Sequence, residues 1–345
     1  MKIYNKWSEK MNKPDAIFLH YTGHMFGIGC SAFDQDSIIK IHELKQREGN
    51  KGFIVLIPEL NWLEKYQVFV PQEIRRLLQQ YWPGELTVIL PDPNGHFKNI
   101  SVDDFVAFRV PSNPFLREFI KKFGKPIVST SINISGKEPE VDLKKIKANF
   151  ESWFDFAILP KNIKVADAIP SIILKYEKED LKLVREGKIK FDEIKNSYEL
   201  PRILFVCTAN ICRSPMADYY LKDKIEKDGL KYDVRSAGFL GGGFQISENS
   251  KAILAEDGMN AADHISTQLN DDVVRRSWLI LTMTEKHKEM LIENFPNAAK
   301  KTFTISEYAG FNQDIDDPYG LDIGHYRETF KKIKTRIDLI WEKLK

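Results

Sequence analysis

Val206-Cys207-Thr208-Ala209-Asn210-Ile211-Cys212-Arg213-Ser214 decides the fold of the second half of this chain. The apolar run 203–206 leads into it and is typical of a buried strand, while residues 215–221 have the pattern of the first turns of a helix. Loop N–H groups and the positive end of a helix dipole converge on one point in such a turn. The sequence therefore predicts an α/β unit that binds an anion at this loop.

Two side chains of the loop have the chemistry of phosphate transfer. Cys207 lies where the positive field favours a thiolate, which is a nucleophile. Arg213 carries a planar fork of N–H donors that matches phosphate oxygens. Ser214 is placed to donate a hydrogen bond to the thiolate, and Asn210 is placed to pin the loop. We therefore expect a phosphoenzyme formed on Cys207.

A general acid is predicted far downstream, in Asp314-Ile315-Asp316-Asp317-Pro318-Tyr319. Ester cleavage needs a proton donor for the leaving oxygen and then a base for the attacking water. Proline holds the preceding residue in an extended conformation, so Asp317 is the carboxylate with a defined position. Asp-Pro is also ordinary turn chemistry, and only its combination with the loop favours a catalytic role.

With segments 235–238, 264–269 and 279–283, these residues resemble the low-molecular-weight protein tyrosine phosphatases over about residues 201–345. The resemblance implies a flavodoxin-like parallel sheet with helices on both faces and no cofactor. It makes Cys207 the nucleophile, Arg213 the phosphate ligand and Asp317 the acid. The remaining positions that it assigns to the phosphate loop are Thr208, Asn210, Ile211, Cys212 and Ser214. It also implies that Cys212 can form a protective disulfide with Cys207, and that Tyr319 walls the substrate cleft.

The substrate class is narrowed by the cysteines and by Ile211. Related arsenate reductases need further cysteines downstream of the loop. The cysteines of this chain are Cys30, Cys207 and Cys212, and none of them follows the loop, which argues against arsenate reduction. Arginine phosphatases tend to carry threonine where Ile211 stands, so Ile211 favours an aryl phosphate or phosphotyrosine over phosphoarginine. Gly320, where relatives often have a second aromatic, and the glycines 241–243 depart from the family pattern.

Length and composition indicate the number of domains and the class of protein. A length of 345 residues predicts two domains, which we place at 1–190 and 200–345 with a polar, lysine-rich linker near 190–200. The first 198 residues carry a formal charge of +4 and the rest −2, which permits contact with nucleic acid without requiring it. No apolar run is long enough for a membrane span, and the first residues lack a secretory signal. We expect a cytoplasmic protein.

The first half contains dispersed clusters of cations and hydroxyls rather than a nucleophile–base pair. They include the basic cluster 45–47 followed by Lys51, an arginine in the apolar run 106–110, and the hydroxyl-rich turn 129–136. Together such groups can hold a nucleoside triphosphate and a small polar acid. Each cluster alone is more typical of a solvated face or a turn.

In order and spacing these clusters resemble the YrdC family, the threonylcarbamoyl-AMP synthases, over about residues 18–189. The resemblance implies a twisted α/β domain that combines threonine, bicarbonate and ATP with Mg²⁺ into an activated carbamate, used to modify transfer RNA. It assigns these residues to ATP: Lys45, Arg47, Ser131, Asn133 and Arg185. It assigns these to threonine: Thr22, Arg109, Ser129 and Ser171. No metal ligand of the protein itself is implied.

The match to the YrdC motifs is close at some positions and departs at others, notably in Tyr21–Gly29 and at Glu48. Relatives usually read Pro-Thr-(Asp/Glu)-Thr-x-Tyr-Gly-Leu-Gly, where this chain has Tyr21-Thr22-Gly23-His24-Met25-Phe26-Gly27-Ile28-Gly29. Trp82-Pro83-Gly84-Glu85-Leu86-Thr87 is similar to the family's Pro-Gly-Pro-x-Thr, and Glu48 stands where a proline commonly follows the basic pair. The chain is therefore either a two-headed enzyme or a phosphatase with a non-catalytic RNA- or nucleotide-binding module.

Overall fold

The computed structural model describes residues 1–47, 52–163 and 169–345 and divides the chain into two compact units, Met1–Lys195 and Asn196–Lys345. Lys51 and Glu48 lie outside the described residues. Among the helices that are described, none combines the length and apolarity that crossing a membrane requires.

The first unit is built on a mixed sheet that has ten strands in the described residues, in the order β1-β8-β2-β3-β7-β4-β6-β5-β9-β10. The strands are β1 Lys2–Tyr4, β2 Phe18–Tyr21, β3 Phe26–Ser31, β4 Ile54–Leu56, β5 Leu86–Pro91, β6 Phe105–Arg109, β7 Ile127–Ser131, β8 Phe156–Ile158, β9 Ile172–Glu177 and β10 Asp180–Arg185. The helices are α1 Gln35–Leu44, α2 Asn61–Lys65, α3 Gln72–Tyr81, α4 Pro114–Phe123 and α5 Leu143–Phe150, with short 3₁₀ turns at Glu9–Met11 and Glu151–Trp153.

Central strands of this sheet carry the predicted ligand residues at their ends. Strand β7 pairs antiparallel with β3 and β4, and its last three residues are the hydroxyls of the predicted turn. Strand β6 ends at Arg109, and α4 follows it after a short loop. Asn113 caps α4 by accepting a hydrogen bond from the Phe115 N–H (3.0 Å), and Pro114 takes the first helical position. The cap therefore fixes the loop that leads away from Arg109.

The lysine-rich segment predicted as a linker forms a helix, α6 (Phe191–Glu199). Asp192 and Glu193 lie in its first turn, where carboxylates complement the helix dipole, and Ile194 is buried.

The second unit is a parallel sheet with helices on both faces, as predicted. Its strands are β11 Arg202–Cys207, β12 Asp233–Gly238, β13 Ser277–Thr282 and β14 Thr302–Thr304, in the order β12-β11-β13-β14. Its helices are α7 Arg213–Asp228, α8 Glu248–Glu256, α9 Asp271–Arg276, α10 Glu285–Asn294, α11 Ile305–Ala309 and α12 Ile323–Leu344, with a 3₁₀ segment at Pro296–Lys301.

Strand β11 lies between two hydrophobic clusters. Ile203, Phe205 and Cys207 pack in a cluster that includes residues of α7, α8 and α12. Leu204 and Val206 point to the opposite face, into a cluster that includes residues of α9 and α10. Alternate residues of a strand point to opposite faces, so a continuous apolar run is what a strand covered on both sides requires.

Candidate active sites

The phosphate loop, residues 207–214, connects the end of β11 to the start of α7 as the sequence predicts. Its backbone turns at Asn210, which has a φ of +57°, in the left-handed region that asparagine tolerates better than most residues. The loop lies close against the end of β12. A Cβ atom on Gly238 would approach the Asn210 nitrogen to 2.7 Å, so only glycine fits there without a shift.

Asn210 holds the loop in place. Its Oδ1 accepts a hydrogen bond from the Thr267 N–H (2.8 Å), which fixes the orientation of the amide. Its Nδ2 therefore donates to Ser214 Oγ (3.0 Å). The Asn210 carbonyl oxygen lies 2.9 Å from His264 Nε2.

Cys207 is buried at the base of the loop and receives donors from two directions. Ser214 Oγ lies 3.0 Å from Cys207 Sγ, and the Asn210 N–H donates to the same sulfur over 3.3 Å. Because Ser214 Oγ already accepts from Asn210, its own proton is directed to Cys207. The sulfur of Cys207 is therefore held in position by groups on both sides of the loop.

Arg213 brings the predicted acid to the loop. Its Nη2 donates to Asp317 Oδ2 (2.5 Å) and its Nη1 to the Ile315 carbonyl (2.9 Å). The Ile315 N–H in turn donates to the Met283 carbonyl at the end of β13 (3.0 Å). Within the described residues, the buried Nε of Arg213 has no hydrogen-bond partner. The nucleophile, the phosphate ligand and the acid predicted from the sequence therefore lie together.

A cavity of about 400 Å³ opens over these groups. Cys207, Arg213 and Asp317 lie in its wall, with Thr208, Ala209 and Cys212 from the loop. The other lining side chains share apolar or aromatic character: Ile211, Leu240, Phe244 and Tyr319. Tyr319 is 68% exposed and Phe244 55%, so these rings are available to a ligand rather than used in the core.

The Cys212 thiol is buried. Its sulfur is 3.4 Å from Tyr326 Oη and 3.5 Å from Ser247 Oγ. Burial raises the pKa of the Cys212 thiol, so it is protonated at neutral pH. That state suits a resolving thiol, and the predicted disulfide with Cys207 remains a prediction.

His287 contacts the loop and was not predicted. Its Nε2 lies 2.9 Å from Thr208 Oγ1, and its Nδ1 lies 2.9 Å from Thr284 Oγ1. Burial lowers the pKa of His287 to about 4, with Arg213 adding to the effect, so the imidazole is neutral. The signal in the sequence was the cap Thr284, three residues before the histidine, but nothing local links it to Thr208.

The first unit has a cavity of about 360 Å³ that gathers most of the predicted ligand residues. Seven of the nine line it: Thr22, Arg47, Arg109, Ser129, Ser131, Ser171 and Arg185. Arg47 Nη2 donates to the Gly52 carbonyl (3.2 Å), while its Nη1 is buried and, among the described residues, has no partner. Arg185 Nη2 donates to the Ser171 carbonyl (2.7 Å).

The other two predicted ligands, Lys45 and Asn133, contact Ser131 in the wall of this cavity. Ser131 Oγ donates to Asn133 Oδ1 (2.6 Å). Lys45 Nζ donates to the Ser131 carbonyl and to both oxygens of Asn133, at 2.9 Å for the carbonyl and 2.8 Å for Oδ1. Burial, reinforced by Arg47, lowers the pKa of Lys45 to about 8. Its ammonium group thus stabilises the turn after β7, and its role toward ATP stays a prediction.

Arg109 has a carboxylate partner that the sequence did not predict. Its Nη2 donates to Glu85 Oε2, and its Nε donates to the Gly84 carbonyl (2.8 Å). Ser112 Oγ donates to Glu85 Oε1 (3.1 Å), and His24 Nε2 lies 3.1 Å from the same oxygen. His24 lies in a segment that departs from the YrdC pattern, whereas Glu85 lies in Trp82–Thr87, which is similar to a family motif.

Both halves of the chain match known protein families. Residues 13–187 match the Sua5–YciO–YrdC model, described as telomere recombination, and residues 202–345 match the low molecular weight phosphotyrosine protein phosphatase model.

Three relatives illustrate the similarity. A protein-arginine-phosphatase of Geobacillus stearothermophilus is 43% identical over 145 residues, 41% of this chain and 95% of that protein. A low molecular weight protein-tyrosine-phosphatase of Acinetobacter johnsonii is 33% identical over 138 residues, 40% of this chain and 93% of that protein. A putative threonylcarbamoyl-AMP synthase of Methanocaldococcus jannaschii is 30% identical over 173 residues, 50% of this chain and 80% of that protein.

Proposed function

Since the chain belongs to the Sua5–YciO–YrdC family through its first half and to the low molecular weight phosphotyrosine protein phosphatases through its second, we propose a two-headed cytoplasmic enzyme. The second unit hydrolyses a phosphoprotein or an aryl phosphate. The synthase domain, which we place at residues 1–190 within the first unit, makes threonylcarbamoyl-AMP for transfer RNA modification. The phosphatase activity is supported by the convergence of Cys207, Arg213 and Asp317 on one cavity.

The phosphatase reaction follows from the positions of these groups. The Cys207 sulfur attacks phosphorus, an S–P bond forms, and the ester P–O bond breaks. Asp317 gives its proton to the leaving oxygen, so the alcohol departs neutral. Asp317, now a carboxylate, takes a proton from water, which attacks phosphorus and releases Cys207 and inorganic phosphate. Arg213 and the loop N–H groups hold the phosphoryl oxygens during both steps.

Phosphotyrosine is the substrate that the cavity supports best. Its walls carry Ile211, Leu240, Phe244 and Tyr319, which suit a flat aromatic ring better than a guanidinium group. Phosphoarginine is the second candidate, because a relative that is 43% identical is a protein-arginine-phosphatase. Ile211 separates the two, since the arginine enzymes tend to have threonine there.

Two matched phosphopeptides, one with phosphotyrosine and one with phosphoarginine in the same sequence, test the choice. We expect a higher kcat/KM for phosphotyrosine and a shift toward phosphoarginine in Ile211→Thr. A preference of the unsubstituted chain for phosphoarginine would replace the first candidate with the second.

The mechanism itself is tested at Cys207 and Arg213. Cys207→Ser should abolish turnover and keep phosphate binding, because Arg213 and the loop N–H groups remain. Arg213→Ala should lose both. Cys30→Ser, the same change at a buried cysteine of β3, serves as the control and should keep phosphatase activity. Full turnover by Cys207→Ser would rule out the phosphoenzyme.

The synthase activity is supported by the cavity that Arg47, Arg109 and Arg185 line together with five hydroxyls. Three guanidinium groups suit the phosphates of Mg²⁺·ATP and a carboxylate of the second substrate. Threonine and bicarbonate condense to a carbamate with loss of water. A carbamate oxygen then attacks the α-phosphate, and pyrophosphate departs. The site acts by holding charges in position and needs no nucleophilic side chain.

Pyrophosphate release from ATP by the full-length chain tests this activity. We expect release that depends on both threonine and bicarbonate. ATP binding without any response to threonine would instead leave a non-catalytic nucleotide- or RNA-binding module.

A further inference from the structure

Glu85 is a buried carboxylate in the N-terminal site with three partners from different segments. It pairs with Arg109 on β6, and it accepts from Ser112 in the loop before α4 and from His24 between β2 and β3. The side chains of Glu85 and Arg109 are each 7% exposed. A buried carboxylate needs a cation and hydrogen-bond donors as partners, and the three residues around Glu85 provide them.

Glu85 and Gly23 are two positions at which this chain differs from the YrdC motifs quoted above. Gly23 stands where relatives have an aspartate or glutamate, and Glu85 stands where they have a proline. A Cβ atom on Gly23 would lie 2.1 Å from Ser112 Oγ, and the Gly23 φ of +121° disfavours any side chain. Ser112 Oγ is the same atom that donates to Glu85. Ser112 Oγ therefore contacts the Glu85 carboxylate and is also the atom nearest to the point where a side chain at position 23 would begin.

We propose that Glu85 is a positioning residue: its carboxylate, supplied from the start of β5 in place of an acid at position 23, orients Arg109 for the carboxylate of the amino-acid substrate. The proposal rests on the synthase function proposed above. It deepens that function by naming the group that sets threonine affinity.

The hydrogen bonds of Arg109 give the direction of the effect. Gly84 O and Glu85 Oε2 take Nε and Nη2. Arg109 also lines the cavity. Two contacts, to Gly84 and to Glu85, therefore fix the guanidinium plane of an arginine that lies in the cavity wall. Without the Glu85 charge, this plane loses both its orientation and the neighbour that keeps a buried cation favourable.

Calorimetry on the full chain, with threonine and with ATP as separate ligands, tests the proposal. We expect Glu85→Gln to raise the Kd for threonine by about tenfold or more, the loss typical of a hydrogen bond between charged groups. The Kd for ATP should change by less than about twofold, which also reports that the unit is folded. Glu85→Asp, which keeps the charge with a shorter reach, should recover part of the threonine affinity. Glu64→Gln, which breaks a surface pair with Arg75, is the matched control and should change neither Kd.

Each outcome decides between roles for Glu85. Equal or tighter threonine binding by Glu85→Gln would overturn the proposal, because Glu85 would then be idle or a competitor for Arg109. Loss of ATP and threonine binding together in both Glu85 variants would show a merely structural role and would also overturn it. No threonine binding by the unsubstituted chain would be a failure of the proposed synthase itself, and it is recognised before any variant is compared.

Discussion

Replacing Asp317 with asparagine removes the predicted proton donor and keeps the size of the side chain. Asp317 is 47% exposed and pairs at 2.5 Å with Arg213, which is 5% exposed. Because solvent screens the carboxylate and an asparagine oxygen can still accept from Arg213, the charge of Asp317 contributes at most about 1 kcal/mol. The free energy of unfolding should therefore fall by less than about 1 kcal/mol. A positioned proton donor contributes about 10²–10⁴-fold to the rate, or about 3–5 kcal/mol of barrier. Activity should fall far more than stability.

Two aryl phosphates with leaving groups of different acidity make this assay specific. The loss of kcat in Asp317→Asn should be large for the poor leaving group and should shrink for the good one, which departs without a proton. Asp316→Asn is the matched control, because Asp316 is 76% exposed and pairs with Lys332 instead (2.6 Å). A larger loss in Asp316→Asn or Asp314→Asn, or an equal loss for both leaving groups, would refute the assignment of the acid to Asp317.

Three further outcomes are expected. Mild peroxide should give a reversible Cys207–Cys212 disulfide, detected by mass spectrometry, and Cys212→Ser should recover less activity after thiol treatment; equal recovery would mean that Cys212 does not protect the site. Arg47→Ala should weaken ATP binding and Arg109→Ala threonine binding, each by about 1.5–3 kcal/mol in calorimetry, and an unselective loss would contradict the assignment. The folded pKa of His287 lies near 4, below its ordinary 6.5, so its contribution to stability is present above pH 6.5 and is lost as the pH falls toward 4. Thermal unfolding of His287→Asn should show a shallower pH dependence across that window, whereas an unchanged slope would show that His287 does not set it.

The second unit was largely predictable because its chemistry is local. The predicted nucleophile, the predicted phosphate ligand and the loop-pinning asparagine lie within eight residues, between a strand and a helix that the apolar pattern indicates. Asp317 could be added because the proline after it marks a defined backbone. The contact between His287 and Thr208 could not be predicted, since it joins residues 79 positions apart through the packing of α10 against the sheet.

In the first unit, the sequence indicated which side chains lie together but not how they are held. Seven of the nine side chains assigned from the resemblance line one cavity, and their roles toward ATP and threonine stay predictions. Lys45 was assigned to ATP by its resemblance to the basic motif of the YrdC family, and its hydrogen bonds to the turn after β7 could not be read from that motif. Glu85 lay in a segment interpreted as similar to a family motif, and nothing in that segment indicated a contact with Arg109. Its role depends on the antiparallel pairing of β5 with β6, which brings Arg109 beside it.

The close approach of the phosphate loop to Gly238 limits how this enzyme can vary. Although Gly238 carries no functional group, we expect it to be hard to replace, because a single methyl group there would lie 2.7 Å from the Asn210 nitrogen and 2.8 Å from the Ala209 carbonyl carbon. Saturation mutagenesis scored by phosphatase activity should therefore find position 238 closed to every substitution while its neighbour Phe239, whose ring stacks on His287, tolerates other rings. The loop after β11 therefore requires a glycine at the end of β12. A graft of this loop onto another protein would have to include that glycine.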